Sequence, residues 1–452
     1  MLTIHTTLNN KLPYPIQNPY EMEDILFFDI ETTGLSARTS FLYLIGCMYF
    51  ENGTWQITQW FADEMNNEAE ILHSFFQKIK NYKRIVHYNG SGFDIPFIQN
   101  KCNQHNIDAS FDLIESFDIY KKIIPYKNLL PIDNLKLKTI EAFLGIARKD
   151  TYSGADLIQI YANYLGSKRY EKLHLSNPHK ETDNSTSIHS KNELHSKNEL
   201  YSKNDELNGY KGFSPSKKIP SSTELLQILL LHNTEDVEGL LSVSNILCYI
   251  DIFDCSIYKD IFLNICSDIS DSQNNWNVEI ISDIESQTNY LKFEVTIPFG
   301  IPRPVHWENK LSATTDENCH NMFIQLIASS NNITLKIPIF KGELKYFFEN
   351  YKDYYYLPKE DMAIHKSVAQ FVDKEYRVQA KANTSYSKKI GIFIPVFEDN
   401  AKNVFKTDYQ DHVKFMELNL PELQEPTQLY EHFTNCIDYL HHSKETEIKI
   451  NK

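Results

Sequence analysis

No two of the seven cysteines (Cys47, Cys102, Cys248, Cys255, Cys266, Cys319 and Cys436) form a C-x-x-C pair, so the spacing of zinc ribbons and thioredoxin-like redox sites is missing. Scattered thiols of this kind read as free cysteines in a reducing compartment rather than a disulfide framework. Basic excess is missing too: 45 Lys and Arg stand against 60 Asp and Glu, a net charge of −15. That excludes coating nucleic acid by bulk attraction and leaves room only for a local basic groove. No apolar run approaches the ~20 residues a membrane span needs, and "FLYLIGCMYF" is strand-sized. The opening "MLTIHTTLNNKLPYP" has no basic start leading into an apolar stretch, so secretion is not expected. Glycine is sparse, and the Gly-x-Gly at Gly90 and Gly92 is too short and wrongly placed for a dinucleotide loop. The expectation is a soluble cytoplasmic protein without a membrane partner. Usage heavy in Asn, Ile, Lys and Tyr points to an AT-rich bacterial genome.

What the chain does have is enough apolar content, 42% of 452 residues, for a sizeable core and two domains. "DILFFDIE", "SFLYLIGCMYF" and "TWQITQWF" read as three successive strands, with Asn52-Gly53 suited to the hairpin between the last two. "NEAEILHSFFQKIKNY" has helical periodicity, "RIVHYNG" is a fourth strand, and "DIPFIQNKCNQHN" is a helix with Pro96 tolerated in its first turn. This order predicts a mixed sheet flanked by helices, an α/β domain over residues 1–250. Residues 167–222 interrupt it with "HSKNEL" twice and "YSKNDEL" once, a polar insertion too poor in apolar residues to offset its ordering entropy. Ser221 and Glu224 then give a capping-box signal for the next helix, with Ser222 or Thr223 as other candidate caps. Residues 251–452 alternate apolar and polar in "YLKFEVTIPF", "ITLKIPIF" and "KKIGIFIPVF", which predicts a β-rich α+β second domain.

Within "ILFFDIETTGL", Asp29 and Glu31 are two apart on a strand and share a face. Side by side, two carboxylates repel unless a cation sits between them; at an exposed strand end they need no partner. Asp94 opens the helix after "HYNGSGF", where a helix cap is the simpler reading. On the later helix, Leu225, Leu229, His232, Asp236, Leu240, Val243 and Leu247 step by three or four along one face. Two ionisable groups on an apolar seam are costly unless paired or ligated. Together the three clusters point to a metal site.

In this order "FFDIETTGL", "YNGSGFDIPFI" and "HNTEDV" resemble the three exonuclease motifs of the DEDD superfamily, within the ribonuclease H-like fold. The nearest resemblance is to the YprB-type ribonuclease H-like group of bacterial proteins, and "LKLKTIEAFLGIARKDTYSGADLIQIYANYL" also resembles that group's segment before the last motif. The resemblance spans residues 22–250. It implies a 3′→5′ exonuclease of single-stranded DNA or RNA in which Asp29, Glu31, Asp94 and Asp236 hold two divalent cations, Mg²⁺ or Mn²⁺. Hard ions of this kind prefer carboxylate oxygen and water. It further implies Thr32, Thr33 and Leu35 beside the terminal nucleotide, and Asn89 near the substrate backbone. One position departs from the pattern: the last motif supplies Tyr four residues before its Asp or His five before it, and here His232 stands four before Asp236. An imidazole there can orient or deprotonate water. The rival reading is a nucleic-acid-binding module with weak or lost catalysis, and the same carboxylates also serve endonucleases and phosphodiesterases.

Asp118, Asp150 and Asp156 fit either the site or the ends of local elements. In the second half, Tyr351–Lys389 mixes Tyr354, Tyr355, Tyr356 and Tyr376 with Lys366, Lys374, Arg377, Lys381, Lys388 and Lys389. That suits a stacking platform for single strands, although a solvated helix with core tyrosines is the simpler reading.

Overall fold

Strand β2 (Ile25–Thr32) carries the sequence "ILFFDIET", and its first four residues are buried on both faces, as an interior strand of a covered sheet requires. It pairs antiparallel with β3 (Leu42–Glu51) on one side and parallel with β5 (Arg84–His87) on the other. The six-stranded mixed sheet is completed by β4 (Thr54–Phe61), β1 (Leu2–Leu8) and β6 (Glu115–Asp118), in the order β1-β4-β3-β2-β5-β6. The expected hairpin between β3 and β4 is present, with Asn52 and Gly53 both at positive φ. Strand β1 was not foreseen: "LTIHTTL" has too weak an alternation to stand out, and it is fixed by its ladder to β4.

The computed structural model describes residues 1–9, 11–175, 220–263, 275–283, 288–311, 322–398, 401–419, 421 and 425–449. They fall into two compact units, the first made of Met1–Asn10, Pro19–Ser116 and Arg148–Glu238. Its core packs Phe28, Leu44, Ile45 and Ile85 of the sheet with Ile71, Leu72 and Phe75 of helix α1 (Glu68–Ile79) and Phe97, Ile98 and Cys102 of α2 (Asp94–Gln104). Side chains at i, i+3 and i+4 line up on these helices, which is why the spacing read from sequence marks the buried face. Two short helices follow, α3 (Ile119–Ile123) and α4 (Leu137–Leu144), both in the second unit.

Two 22-residue helices, α5 (Gly154–Leu175) and α6 (Ser222–Val243), flank the polar segment. Helix α6 opens on the capping box expected at Ser221: its Oγ and backbone N both donate to Glu224 Oε2, at 2.9 and 2.8 Å. Helix α5 continues to Leu175, past residue 167 where the polar insertion is expected to begin. Its polar residues have partners. Lys168 Nζ reaches Asp63 Oδ2 at 2.6 Å, and Glu171 accepts from the backbone N and Oγ of Ser222 at 2.9 and 2.6 Å. The remainder of that segment, residues 176–219 with the repeats, lies outside the described residues.

The second unit comprises Lys11–Asn18, Phe117–Ala147 and Gly239–Lys452. Its main sheet is built on a long antiparallel pair, β7 (Thr288–Lys310) and β8 (Phe323–Phe347), and it contains the three apolar-alternating stretches expected to be strands. A separate three-stranded sheet holds Tyr354–Leu357, Met362–His365 and Val378–Gln379. The tyrosines Tyr354–Tyr356 are therefore on a strand, and the one α-helix between Tyr351 and Lys389 is the four-residue Lys366–Ala369, short of the solvated helix that is the other reading. Several of its aromatics are committed internally: Tyr354 stacks on Phe348 with ring centres 4.1 Å apart, Tyr356 donates to Asp361 Oδ1 at 2.6 Å, and Arg377 lies over Tyr355. Among the described residues no single helix is long and apolar enough to cross a membrane. The cysteines in them carry free thiols; Cys266 and Cys319 lie outside.

Candidate metal centre

Three elements of the first unit bring the sequence-predicted carboxylates together. Asp29 and Glu31 come from the end of β2, Asp94 is the first residue of α2 and is buried, and Asp236 lies one turn after the buried His232 on α6. Asp94 is not the N-cap of its helix; Phe93 holds that place, and Asp94 presses electrostatically on both Asp29 and Glu31.

The sheet register explains how α6 can come so close. Gln59, Gly46 and Asp29 stand in one row across β4, β3 and β2. Gly46 offers no side chain, and Asn233 of α6 fills the space: a Cβ on Gly46 would lie 2.0 Å from Asn233 Oδ1. Seated there and fully buried, Asn233 accepts from Gln59 Nε2 at 2.9 Å and donates from Nδ2 to Asp29 Oδ2 at 3.2 Å. One asparagine thus fastens the helix of His232 and Asp236 to the strand of Asp29 and Glu31.

Around Asp236 the polar contacts are dense. Arg148 Nη2 donates to its Oδ1 at 2.5 Å, while His232 Nε2 faces its Oδ2 at 3.2 Å and Glu31 Oε1 at 3.8 Å. On the other side of the ring, His232 Nδ1 donates to Asp150 Oδ2 at 2.6 Å. Asp150 also accepts from Tyr152 N at 3.1 Å, and Glu235 braces the same loop by accepting from Lys149 N and Asp150 N. Glu235 therefore points away from the cluster, as its offset of about 100° from Asp236 on the helix predicts.

Burial, then the charges of Asp236, Asp94 and Glu31, raise the Asp29 carboxyl well above its usual range, against the Asn233 hydrogen bond. Glu31 is pushed up to about 8 by burial and by Asp236. Burial alone would lower the His232 ring, but its bond to Asp236 and the charges of Asp236, Glu31 and Asp150 outweigh that and raise it to about 9. Burial pushes Asp236 up, and His232 and Arg148 more than reverse it, so this carboxyl stays ionised. Arg148 and His232 bring positive charge to the cluster. Glu31, His232 and Asp236 can each place a ligand atom within 4.8 Å of the others, and the donor chemistry, carboxylates plus one imidazole, suits a divalent cation. One other such group among the described residues, Asp438, His441 and His442, lies in the second unit.

The softer expectations fare differently. Thr32 donates from Oγ1 to Gly34 O at 2.9 Å, and Thr33 Oγ1 accepts from Phe41 N at 2.8 Å, so both hydroxyls hold the loop after β2. Leu35, at the tip of that loop, is 87% exposed. Asn89 sits at positive φ and its carbonyl accepts from Gly92 N. Asp118 accepts from Lys121 N at the start of α3, and Asp156 from Ser153 at the start of α5; both end local elements. Asp150 alone of the three ambiguous acids joins the site. Arg148, Asn233 and Gln59 were not foreseen, although Arg148 and Asp150 stand in the "ARKD" of the segment that carries the family resemblance.

Residues 26–194 match the RNase_H_2 family model, described as RNase_H superfamily. The ribonuclease H-like resemblance read from the motifs is borne out over that range, which ends before His232 and Asp236. No curated protein matches the chain. Among solved structures, the family B DNA polymerase from the hyperthermophilic archaeon Pyrobaculum calidifontis is similar at a TM-score of 0.33 and 12% sequence identity, covering 64% of this chain and 34% of that one. This chain thus matches about a third of the polymerase's length.

Proposed function

We propose that this chain, ribonuclease H-like over residues 26–194, is a metal-dependent nuclease, and specifically a 3′→5′ exonuclease acting on single-stranded DNA or RNA. The observation that carries the reading is the convergence of Asp29, Glu31, Asp94 and Asp236 from three elements into one cluster in which burial, then mutual repulsion, raises the first two. A proton or a cation relieves such a cluster, and the cations these donors suit are Mg²⁺ or Mn²⁺. When bound, the ions supply Lewis-acid activation of water and stabilisation of the leaving 3′ oxygen. In this reading Asp29, Glu31, Asp94 and Asp236 would hold the ions. Arg148 keeps Asp236 ionised and turned so that Oδ2 faces the cluster. His232 brings an imidazole to the same edge. Leu35 offers an exposed apolar side chain to a terminal base, and the loop that Thr32 and Thr33 hold shut keeps it in place.

A second reading, a binding module with weak catalysis, is favoured by one observation: Arg148 already occupies one oxygen of Asp236. The two separate in one experiment with 5′-labelled single-stranded DNA and RNA in Mn²⁺, Mg²⁺ or EDTA. The expected result is a metal-dependent ladder shortening from the 3′ end, absent in Asp29→Ala. Binding without cleavage in any metal would leave the binding module in its place.

A further inference from the structure

We infer that His232 is an inner-sphere ligand of the bound cation, positioned by Asp150, which gives the site one nitrogen donor beside its carboxylates and a preference for Mn²⁺-like ions over Mg²⁺. The inference rests on the nuclease reading for its cation and goes beyond it in assigning the ring to metal instead of to water.

The distances decide between the two roles. A water hydrogen-bonded to both Nε2 and a carboxylate oxygen holds them roughly 4.5 Å apart. Nε2 lies only 3.2 Å from Asp236 Oδ2 and 3.8 Å from Glu31 Oε1, too close for a water between the ring and Asp236. Two donors each about 2.1 Å from one cation lie roughly 3.0 Å apart at right angles and roughly 3.4 Å apart in a tetrahedron. The spacing of Nε2 and Oδ2 falls between these, and Glu31 Oε1 needs to move by only a few tenths of an ångström.

The far side of the ring fits the same role. Nδ1 donates to Asp150 Oδ2 at 2.6 Å, and the Asp150 side chain is 1% exposed. A metal-bound histidine usually donates its other ring nitrogen to a carboxylate in this way; the cation would displace to solvent the Nε2 proton now shared with Asp236 Oδ2, and the Asp150 bond would then hold the tautomer whose Nε2 lone pair faces the metal. Asp150 is itself held by the backbone N of Tyr152, so the ring has little freedom to swing. Arg148 occupies Oδ1 of Asp236 and leaves Oδ2 as its metal-facing atom, on the side where Nε2 lies. The substitution of nitrogen for oxygen carries a consequence for selectivity. Mg²⁺ strongly prefers oxygen donors, whereas later first-row ions accept imidazole, and Mn²⁺ sits between them.

Pulsed EPR on the full-length protein loaded with Mn²⁺ tests this without turnover. We expect a ¹⁴N coupling of a directly bound nitrogen, lost in His232→Gln and kept in Asp150→Asn. Mn²⁺ affinity should fall about 10–100-fold in Asp150→Asn. In His232→Gln, Mn²⁺ affinity should fall further while Mg²⁺ affinity changes by less. Circular dichroism of each variant in EDTA confirms folding. If Mn²⁺ binds with no nitrogen coupling and the protein still degrades single strands, the assignment of His232 is overturned and the nuclease reading stands. Absence of both Mn²⁺ binding and hydrolysis overturns both.

Discussion

Replacing Asp29 with asparagine is expected to reduce metal-dependent hydrolysis by about 10³-fold or more and, at pH 8 without metal, to raise the melting temperature. The first effect follows from the proposed reading, in which this carboxylate would hold the cations. The second follows from the state of the cluster when no cation is bound. Unfolded, Asp29 releases its proton near pH 3.8; folded, it holds the proton to a much higher pH because of burial and the charges of Asp236, Asp94 and Glu31. Its contribution to stability is therefore complete below pH 3.8 and lost as the pH rises through the folded value. Glu31 behaves alike between 4.5 and about 8. His232 acts in the same direction, since its raised ring contributes stability below pH 6.5 that fades on the way to about 9. The three act in the same direction, so the cluster should stabilise metal-free protein less at pH 8 than at pH 5.5.

Asparagine at 29 cannot ionise, so the cost of charging this buried position is absent, while its amide oxygen can still accept from Asn233. A gain of about 1–3 kcal/mol at pH 8, or several degrees, is the expected size. Differential scanning calorimetry in EDTA at both pH values, on wild type and Asp29→Asn, measures it. A variant that melts lower than wild type at pH 8, or an unchanged pH slope, would sink the account of the cluster as a repelling one.

Gly46→Ala should destabilise the first unit by about 2–3 kcal/mol and slow hydrolysis by about 10²-fold. Gly46 is not at positive φ, so no backbone strain enters, and the cause is steric alone. The added methyl would lie 2.0 Å from Asn233 Oδ1 and 2.9 Å from its Cγ. Asn233 is fully buried and cannot swing into solvent, so α6 itself must move, taking His232 and Asp236 with it. A displacement of an ångström at the reacting groups is enough for the expected loss of rate. Urea melts and single-turnover hydrolysis of Gly46→Ala, Asn233→Ala and the double variant form a closed cycle. Shortening Asn233 makes room for the methyl, so the double variant should be less destabilised than the sum of the singles. Strict additivity would show that the two do not meet.

Local periodicity made much of this site legible. Asp29 and Glu31 are two apart on a strand, and His232 and Asp236 four apart on a helix, so their shared faces follow from backbone geometry alone. The capping box at Ser221 and the turn at Asn52-Gly53 are equally local. Asn233 was silent because its meaning depends on Gly46 and Gln59, residues brought under it only by the pairing of three strands. Arg148 was silent for a similar reason: nothing near it in sequence says that it reaches Asp236. Strand β1 was missed because an edge strand with weak alternation acquires its conformation from its ladder partner. The tyrosine-rich stretch of the second unit was read for composition, when its strand pairing decides which rings are committed.

The hydrogen bonds from Ser222 to Glu171 have a consequence for how this sequence can drift. The chain leaves α5 and re-enters α6 at neighbouring points, so the register of α6 is set at that junction and not by the length of what runs between. Copies of the hexapeptide "HSKNEL" can therefore be gained or lost by replication slippage while His232 and Asp236 keep their places. One serine and one glutamate separate a repetitive stretch of sequence from a site that can tolerate almost no displacement.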